Sequence, residues 1–239
     1  MNDYLIIVTG YNCGELAYKC YNSLKRLYLH EWRAIFISDG STDNTSEYLS
    51  FINDSRVIIE RYRDNRGAAY RRYNAITQYG KKDDIIILVG MDDELRRNAL
   101  NIISGQYNEG KLMTYGNWID QYNKILPDGF LQFDKITHSN RDYRKVKYRS
   151  TAPNTFRKFL FDKLKPEDFM FKGEWIKATT ESPLMFACLE MCGEKRIGVI
   201  EEPIYFYRKR TDNARRRFGD NYQDMIYADV ISRPKFDLI

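Results

Sequence analysis

Apolar residues gather in short unbroken runs over the first hundred positions: YLIIVT from Tyr4 to Thr9, RAIFIS from Arg33 to Ser38, DIIILV from Asp84 to Val89, and a weaker RVIIER from Arg56 to Arg61. They are continuous and rich in β-branched residues, as expected of strands covered on both faces. Between them the spacing changes to a helical one. Leu16, Cys20, Leu24 and Leu27 share one face of a helix predicted over Glu15 to Leu29, and further helices are predicted over Thr45 to Ile52 and Ala68 to Tyr79. Strands alternating with helices predict an α/β fold with a mostly parallel central sheet. The residues that follow parallel strands then meet at one edge, here TGYN, DGSTD, DNRG and GMDD. A polar, glycine-bearing edge with two acid clusters is a ligand site by the rule for open α/β sheets.

Past Leu112 the pattern loosens. A strand is predicted over Met113 to Ile119, an amphipathic helix over Asn154 to Leu164, and a polar connection over Lys165 to Gly173. Ser182 is placed to cap a helix that carries Pro183 in its first turn, Leu184 to Met191 as its apolar run and Gly193 as its stop. Lys195 to Ile200 and Ile204 to Tyr207 read as two short strands, and the last twenty residues carry little signal. A length of 239 residues suits one well-cored domain.

Charge adds one feature. The net charge is +5, a mild excess that favours anionic partners, and its cations are concentrated in RKRTDNARRR from Arg208 to Arg217. A solvated charged face accounts for such a run about as well as a binding surface does. Nineteen tyrosines suit the walls of a cleft as well as a core. The four cysteines lack the close pairing of a zinc site and stand far from His30 and His138 in sequence, so free thiols in a reducing compartment are expected. MNDYLIIVTGYN has no basic segment before its apolar run and reads as a strand, not a signal peptide. No run approaches the roughly 20 apolar residues of a membrane span. The expected location is cytoplasmic, with peripheral contact at an anionic membrane as an option.

The stretch ILVGMDDEL poses the chemical question: a buried strand delivers Asp92 and Asp93 to the polar edge, with Gly90 just before them. Taken in order, VTGYN, ISDGSTDNT, DNRGAAYRRYNA, LVGMDDEL, ATTESPLMFACLEMCGEKR and EEPIYFYRKR resemble a family-2 glycosyltransferase of the GT-A fold, over Tyr4 to Arg210. The resemblance implies a single domain over 1–239, with a nucleotide-sugar-binding half over 1–112, an acceptor-binding half over 113–210 and a C-terminal extension over 211–239. It implies an inverting, metal-assisted transfer of a sugar from a UDP-, GDP- or dTDP-sugar to a glycan or lipid-linked acceptor.

Residue by residue, the resemblance makes Asp39 the acid that meets the nucleobase, although an Asx turn in DGSTD also explains an acid there. Thr9 and Tyr11 fall in the loop beside the base, and Tyr11 reads equally as a core aromatic. Asn65, Gly67 and Arg72 match the family's Asn-x-Gly and following helix, with Arg72 facing the diphosphate; an ordinary loop glycine and a surface cation are the alternative. Where the family has Asp-x-Asp-Asp, this chain has Gly90-Met91-Asp92-Asp93. Asp92 is then the ligand of Mn²⁺ or Mg²⁺, with Asp93, the second acid of the metal motif, helping to shape the loop or the acceptor side. Acids at the start of a helix are the other explanation. Glu181 is the candidate general base, against a capping acid as the alternative, and a shift of one residue would put Ser182 in its place. Arg208 and Arg210 stand where the family carries a basic closing residue over the phosphates.

Three other functions compete. A nucleotidyltransferase shares such a sheet but opens on a basic, glycine-rich loop, which VTGYNCGEL is not. A pseudoenzyme that kept the nucleotide-sugar pocket is motivated by Gly90. A nucleic-acid binder built on Arg208 to Arg217 conflicts with the acids at the sheet edge, which repel phosphates, so no nucleic-acid partner is expected.

Overall fold

A computed structural model describes residues 2–211 and 217–239. The strands predicted in the first half form with small shifts at their ends: β1 (Tyr4–Gly10), β2 (Trp32–Asp39), β3 (Val57–Tyr62) and β4 (Ile85–Gly90). They pair in parallel in the order β3-β2-β1-β4. Their helices are α1 (Glu15–Lys25), α2 (Thr45–Ser50) and α3 (Ala68–Tyr79). A two-residue strand β5 (Glu94–Leu95) and helix α4 (Ala99–Asn108) follow, then β6 (Met113–Asp120) and a short helix α5 (Lys135–Asn140).

Alternate β1 residues point to opposite faces and both faces are covered. Leu5 and Ile7 join a core with Ala69 and Ile76 of α3, whereas Ile6 and Val8 join one with Cys20 and Leu24 of α1. Burial on both sides is why the runs are continuous and not alternating.

The second half departs from the periodicity in three places. Asn154 to Leu164 is not one helix: β7 (Asn154–Arg157) enters the sheet antiparallel between β4 and β6, and only the single turn α6 (Lys158–Phe161) is helical. Phe156, Leu160, Phe161 and Leu164 keep a helical spacing because all four are buried in one core. The sheet nevertheless claims the first of them, since the Thr155 hydroxyl sits 2.7 Å from those of both Thr114 and Tyr107. The polar connection after Leu164 carries a small hairpin, β8 (Met170–Phe171) with β9 (Glu174–Trp175). The two predicted final strands are one, β10 (Ile197–Tyr207), parallel to β6 with register shifts around Pro203.

Helix α7 (Ser182–Cys192) is buried along its length and ends at Gly193, whose φ of 63° suits glycine. Ser182 does not cap it; its hydroxyl donates to the Thr179 carbonyl at 2.8 Å, and Glu181 occupies the cap position. The C-terminal stretch, which carried little signal, forms helix α8 (Asp220–Ser232), packed on α7 through Ile226 and Val230. The sheet order is β3-β2-β1-β4-β7-β6-β10-β5. Among the described residues no helix is long and apolar enough to cross a membrane. All four cysteines are free and buried.

A candidate active site in two chambers

The C-terminal ends of β1, β2 and β4 build the first wall. Asp39, last in β2, is 4% exposed and both its oxygens are engaged. Oδ1 accepts from the Arg66 backbone N–H (3.0 Å) and from Arg71 Nε (2.6 Å), and Oδ2 accepts from the Gly67 N–H (2.7 Å). Asn65 donates its side-chain amide to the Asp39 carbonyl at 2.8 Å. The loop before α3 is thereby wrapped around the end of β2. Gly67 makes this possible, since its φ of 89° with ψ of 155° is a conformation essentially reserved to glycine.

Arg71 was not singled out by sequence. It is 4% exposed, lies 3.6 Å over the Tyr62 ring, and also donates to Asp64. Neighbouring helical residues point about 100° apart, so Arg71 holds β2 while Arg72 faces another way. Arg72 Nε donates to the Thr9 hydroxyl at 3.0 Å, and its Nη1 reaches the Thr180 hydroxyl (3.3 Å) and pairs with the Glu181 carboxylate. Burial pushes the Glu181 carboxyl up, but the charge and hydrogen bond of Arg72 outweigh it and leave the group below the usual carboxylate range. Thr179, just before, has a left-handed φ of 49°, uncommon for a β-branched residue.

The β4 loop separates its two acids. Asp93 is 5% exposed; its oxygens accept from the Tyr205 hydroxyl (2.6 Å) and the Arg208 N–H (2.7 Å). Burial, with Asp92 nearby, pushes its carboxyl well above the usual range. Asp92 lies 3.7 Å from an Arg210 nitrogen. Gly90 donates its N–H to Tyr205 at 3.0 Å, and a Cβ placed on it would lie 2.6 Å from Asp93 Oδ2 and 2.9 Å from Asp92 Oδ1. The absent first acid is thus a packing matter: the two remaining carboxylates fold into its space. Gly90→Asp, which rebuilds the missing acid, is expected to lower stability by about 1–3 kcal/mol through overpacking. A urea titration checks it, and parental stability would show that the loop relaxes freely.

Two cavities open on this wall. The smaller, about 280 Å³, is lined by Thr9, Tyr11, Asp39, Asn65, Gly67, Arg72, Asp92 and Arg210, so these eight predicted residues come together. Lys177 and Phe218, which the sequence reading did not include, also line it, as does Arg217, the last residue of the cationic run, which stands 4.7 Å over the Tyr11 ring. Arg208 and Asp93 do not line it. Arg208 pairs with Glu94 at 3.1 Å, and Asp93 faces the larger cavity of about 560 Å³. That larger cavity is walled by aromatic residues from β6, β10, α8 and the segment before β7. Arg72, Gly90, Thr179 and Glu181 belong to both.

The described start of the cationic run is engaged with neighbouring groups. Lys209 pairs with Asp120 at 2.5 Å, and Arg210 donates to the Asn12 carbonyl at 2.5 Å. Arg215 and Arg216 lie outside the described residues. Among the described residues no group of three or more His, Cys, Asp or Glu side chains forms a metal cluster. Of the three carboxylates that line the smaller cavity, Asp39 and Glu181 are held by Arg71 and Arg72, and Asp92, beside Arg210, is the acid that the β4 loop brings to it. That fits Mg²⁺ or Mn²⁺ in the form in which one acid is completed by substrate phosphates and water.

Comparison with known proteins places this geometry. The model of Glycosyl transferase family 2 matches residues 5–165. Glycosyltransferase GlyG of Streptococcus pneumoniae serotype 4 is 27% identical over 131 residues, 54% of this chain and 42% of that protein. The chain spans less than half the length of the curated relatives it matches. Among solved structures, S. aureus TarS 1–349 in complex with UDP-GlcNAc superposes with a TM-score of 0.68 at 19% identity, over 89% of this chain and 60% of that one. Glucosyl-3-phosphoglycerate synthase from Mycobacterium tuberculosis, solved with Mn²⁺, UDP and glucosyl-3-phosphoglycerate, gives 0.63 at 11% identity, over 98% and 81%. The sheet is the mostly parallel, helix-flanked sheet of GT-A structures.

Proposed function

The chain belongs to glycosyl transferase family 2, and from that premise we propose that it moves a sugar from a nucleoside-diphosphate donor to a hydroxyl of a glycan or lipid-linked acceptor, inverting the anomeric centre. One observation carries the reading: Glu181 stands in the wall common to a small polar chamber and a larger aromatic one. A base there reaches an acceptor in one chamber and an anomeric carbon delivered from the other.

In this reading the donor occupies the smaller chamber. Asp39 Oδ2 accepts a single N–H from the protein and keeps a lone pair for a nucleobase imide. Tyr11 offers a face beside the base, and Arg72 and Arg210 bring positive charge toward the diphosphate. Asp92 would hold Mn²⁺ or Mg²⁺, which supplies charge neutralisation on the leaving diphosphate. Asp93 is assigned to bracing: through Tyr205 and Arg208 it fixes the end of β10 against the β4 loop.

The acceptor hydroxyl attacks the anomeric carbon from the larger chamber. Its oxygen bonds to that carbon, the carbon–oxygen bond to the diphosphate breaks with its electron pair leaving on the diphosphate, and the hydroxyl proton passes to Glu181. Arg72 holds Glu181 ionised, the form that can accept a proton.

Nucleotide-induced stabilisation tests the donor chamber. In a thermal-shift panel of UDP, GDP, dTDP and CDP with and without Mn²⁺, one nucleotide is expected to raise the Tm, more so with Mn²⁺. Asp92→Asn is expected to remove the Mn²⁺-dependent part. A panel in which no nucleotide shifts the Tm would remove the donor site from the proposal.

A further inference from the structure

We propose that the larger chamber takes an uncharged saccharide end and turns away acceptors that carry phosphate. The proposal rests on the reading of that chamber as the acceptor side.

The two chambers differ in charge. Around the smaller one, Arg72, Lys177, Arg210 and Arg217 face the carboxylates of Asp39, Asp92 and Glu181, a lining that leans cationic and suits a diphosphate. In the lining of the larger one Arg72 is the sole cation among the described residues, and its guanidinium is already paired with Glu181. Asp224, exposed on α8, adds a carboxylate at the edge of that chamber. A neighbouring ammonium, Lys209 Nζ, is 5.9 Å over the Trp118 ring and pairs with Asp120. A phosphate entering here would meet Asp224 and Glu181, and would have to break an existing ion pair to find a counter-charge. Recognition by exclusion of the wrong charge is a common source of specificity.

What the chamber does offer suits a sugar ring. Trp118 and Tyr207 stand with ring centroids 5.4 Å apart at 57°, forming an angled aromatic wall, and Tyr148 and Tyr227 add further faces from other elements. Such rings carry an apolar face beside a polar edge, the combination that a pyranose presents in return. Ser150, Asn154 and Gln223 supply neutral hydrogen-bonding groups on the same walls. The volume of about 560 Å³ lies within the range of small-ligand sites.

Saturation-transfer NMR on the full chain, with the smaller chamber filled by an excess of the nucleotide that raises the Tm, tests this directly. One set of probes is the methyl glycosides of glucose, galactose, mannose and N-acetylglucosamine; the other is glycerol 3-phosphate and ribitol 5-phosphate. At least one neutral glycoside is expected to show transfer that added salt does not change, with the phosphates about tenfold weaker or silent. Trp118→Ala is expected to erase the glycoside signal, and Tyr227→Ala, on α8, gives a second reading should the first variant fold poorly. Asp224→Arg is expected to raise the phosphate signals. Phosphates that bind as well as glycosides, glycoside signals that survive both aromatic variants, or silence from every probe would each overturn the proposal. Nucleotide thermal shifts on the same samples report separately on the donor chamber.

Discussion

Glu181→Gln is expected to cut transfer by about 10²–10⁴-fold while nucleotide-induced stabilisation stays at the parental level, because the amide keeps the shape of the carboxylate but cannot take the acceptor proton. The pair with Arg72 makes a second readout available. In the parent, burial raises the Glu181 carboxyl and Arg72 more than reverses it. With Arg72→Gln the main opposing influence is gone and only hydrogen bonds from the Thr180 hydroxyl and the local backbone still counter burial, so the group ionises at higher pH than in the parent and the acid limb of the pH–rate profile should move upward. The stability sign follows: a carboxyl depressed in the folded state contributes fully above the unfolded glutamate value, about 4.3, and that contribution disappears as pH falls through the folded value. Measuring kcat against pH for both variants decides the matter. Parental turnover in Glu181→Gln would take this residue out of the chemistry.

Asp39→Ala is expected to unfold the protein more readily, by about 2–4 kcal/mol, because it leaves the buried Arg71 guanidinium with only the half-exposed Asp64 carboxylate and two backbone N–H groups without their acceptor. For a chain of this size that is a fall in Tm of roughly 10 °C. The same change should abolish nucleotide binding, and loss of folding alone could produce that result. The double variant Asp39→Ala with Arg71→Met separates the two effects, since it removes the stranded charge. It is expected to recover much of the stability and none of the nucleotide shift. If Asp39→Ala melts like the parent, the buried pair is not what holds the β2 end.

The first half of the fold was legible because its strands are covered on both faces and its helices on one, so burial wrote itself into the spacing of apolar residues. Asn154 to Leu164 shows where this ends. A core that wraps around its neighbours accepts the same apolar spacing from a strand followed by a single turn, and only the pairing with β4 and β6 tells them apart. Asp39, Asn65, Gly67 and Asp92 were legible because they follow strands in short polar motifs, and such segments converge in a parallel sheet. Arg71 was not, since RR in a helix does not say which arginine turns inward. Nor was the larger chamber: its walls come from β6, β10, α8 and residues 148–154, brought together by tertiary packing with no shared local pattern. Gly90 could be read only as a missing acid until the space beside it proved to hold Asp92 and Asp93.

The antiparallel entry of β7 has a consequence for how such a protein can change. β6 runs out to the binding edge at Asp120 and β7 starts back from that same edge at Asn154, so the chain between them leaves and returns on one side of the sheet. Residues 121–153 therefore form a cassette hung from a fixed frame, with both attachment points beside the larger chamber. The strand registers do not fix its length or sequence, but Leu131, Phe133 and Tyr143 are buried in the core and Arg144 pairs with Glu190 of α7, so a replacement must keep those anchors while the exposed stretches between them vary. A scaffold of this kind lets the walls of one chamber diversify while those of the other stay constant.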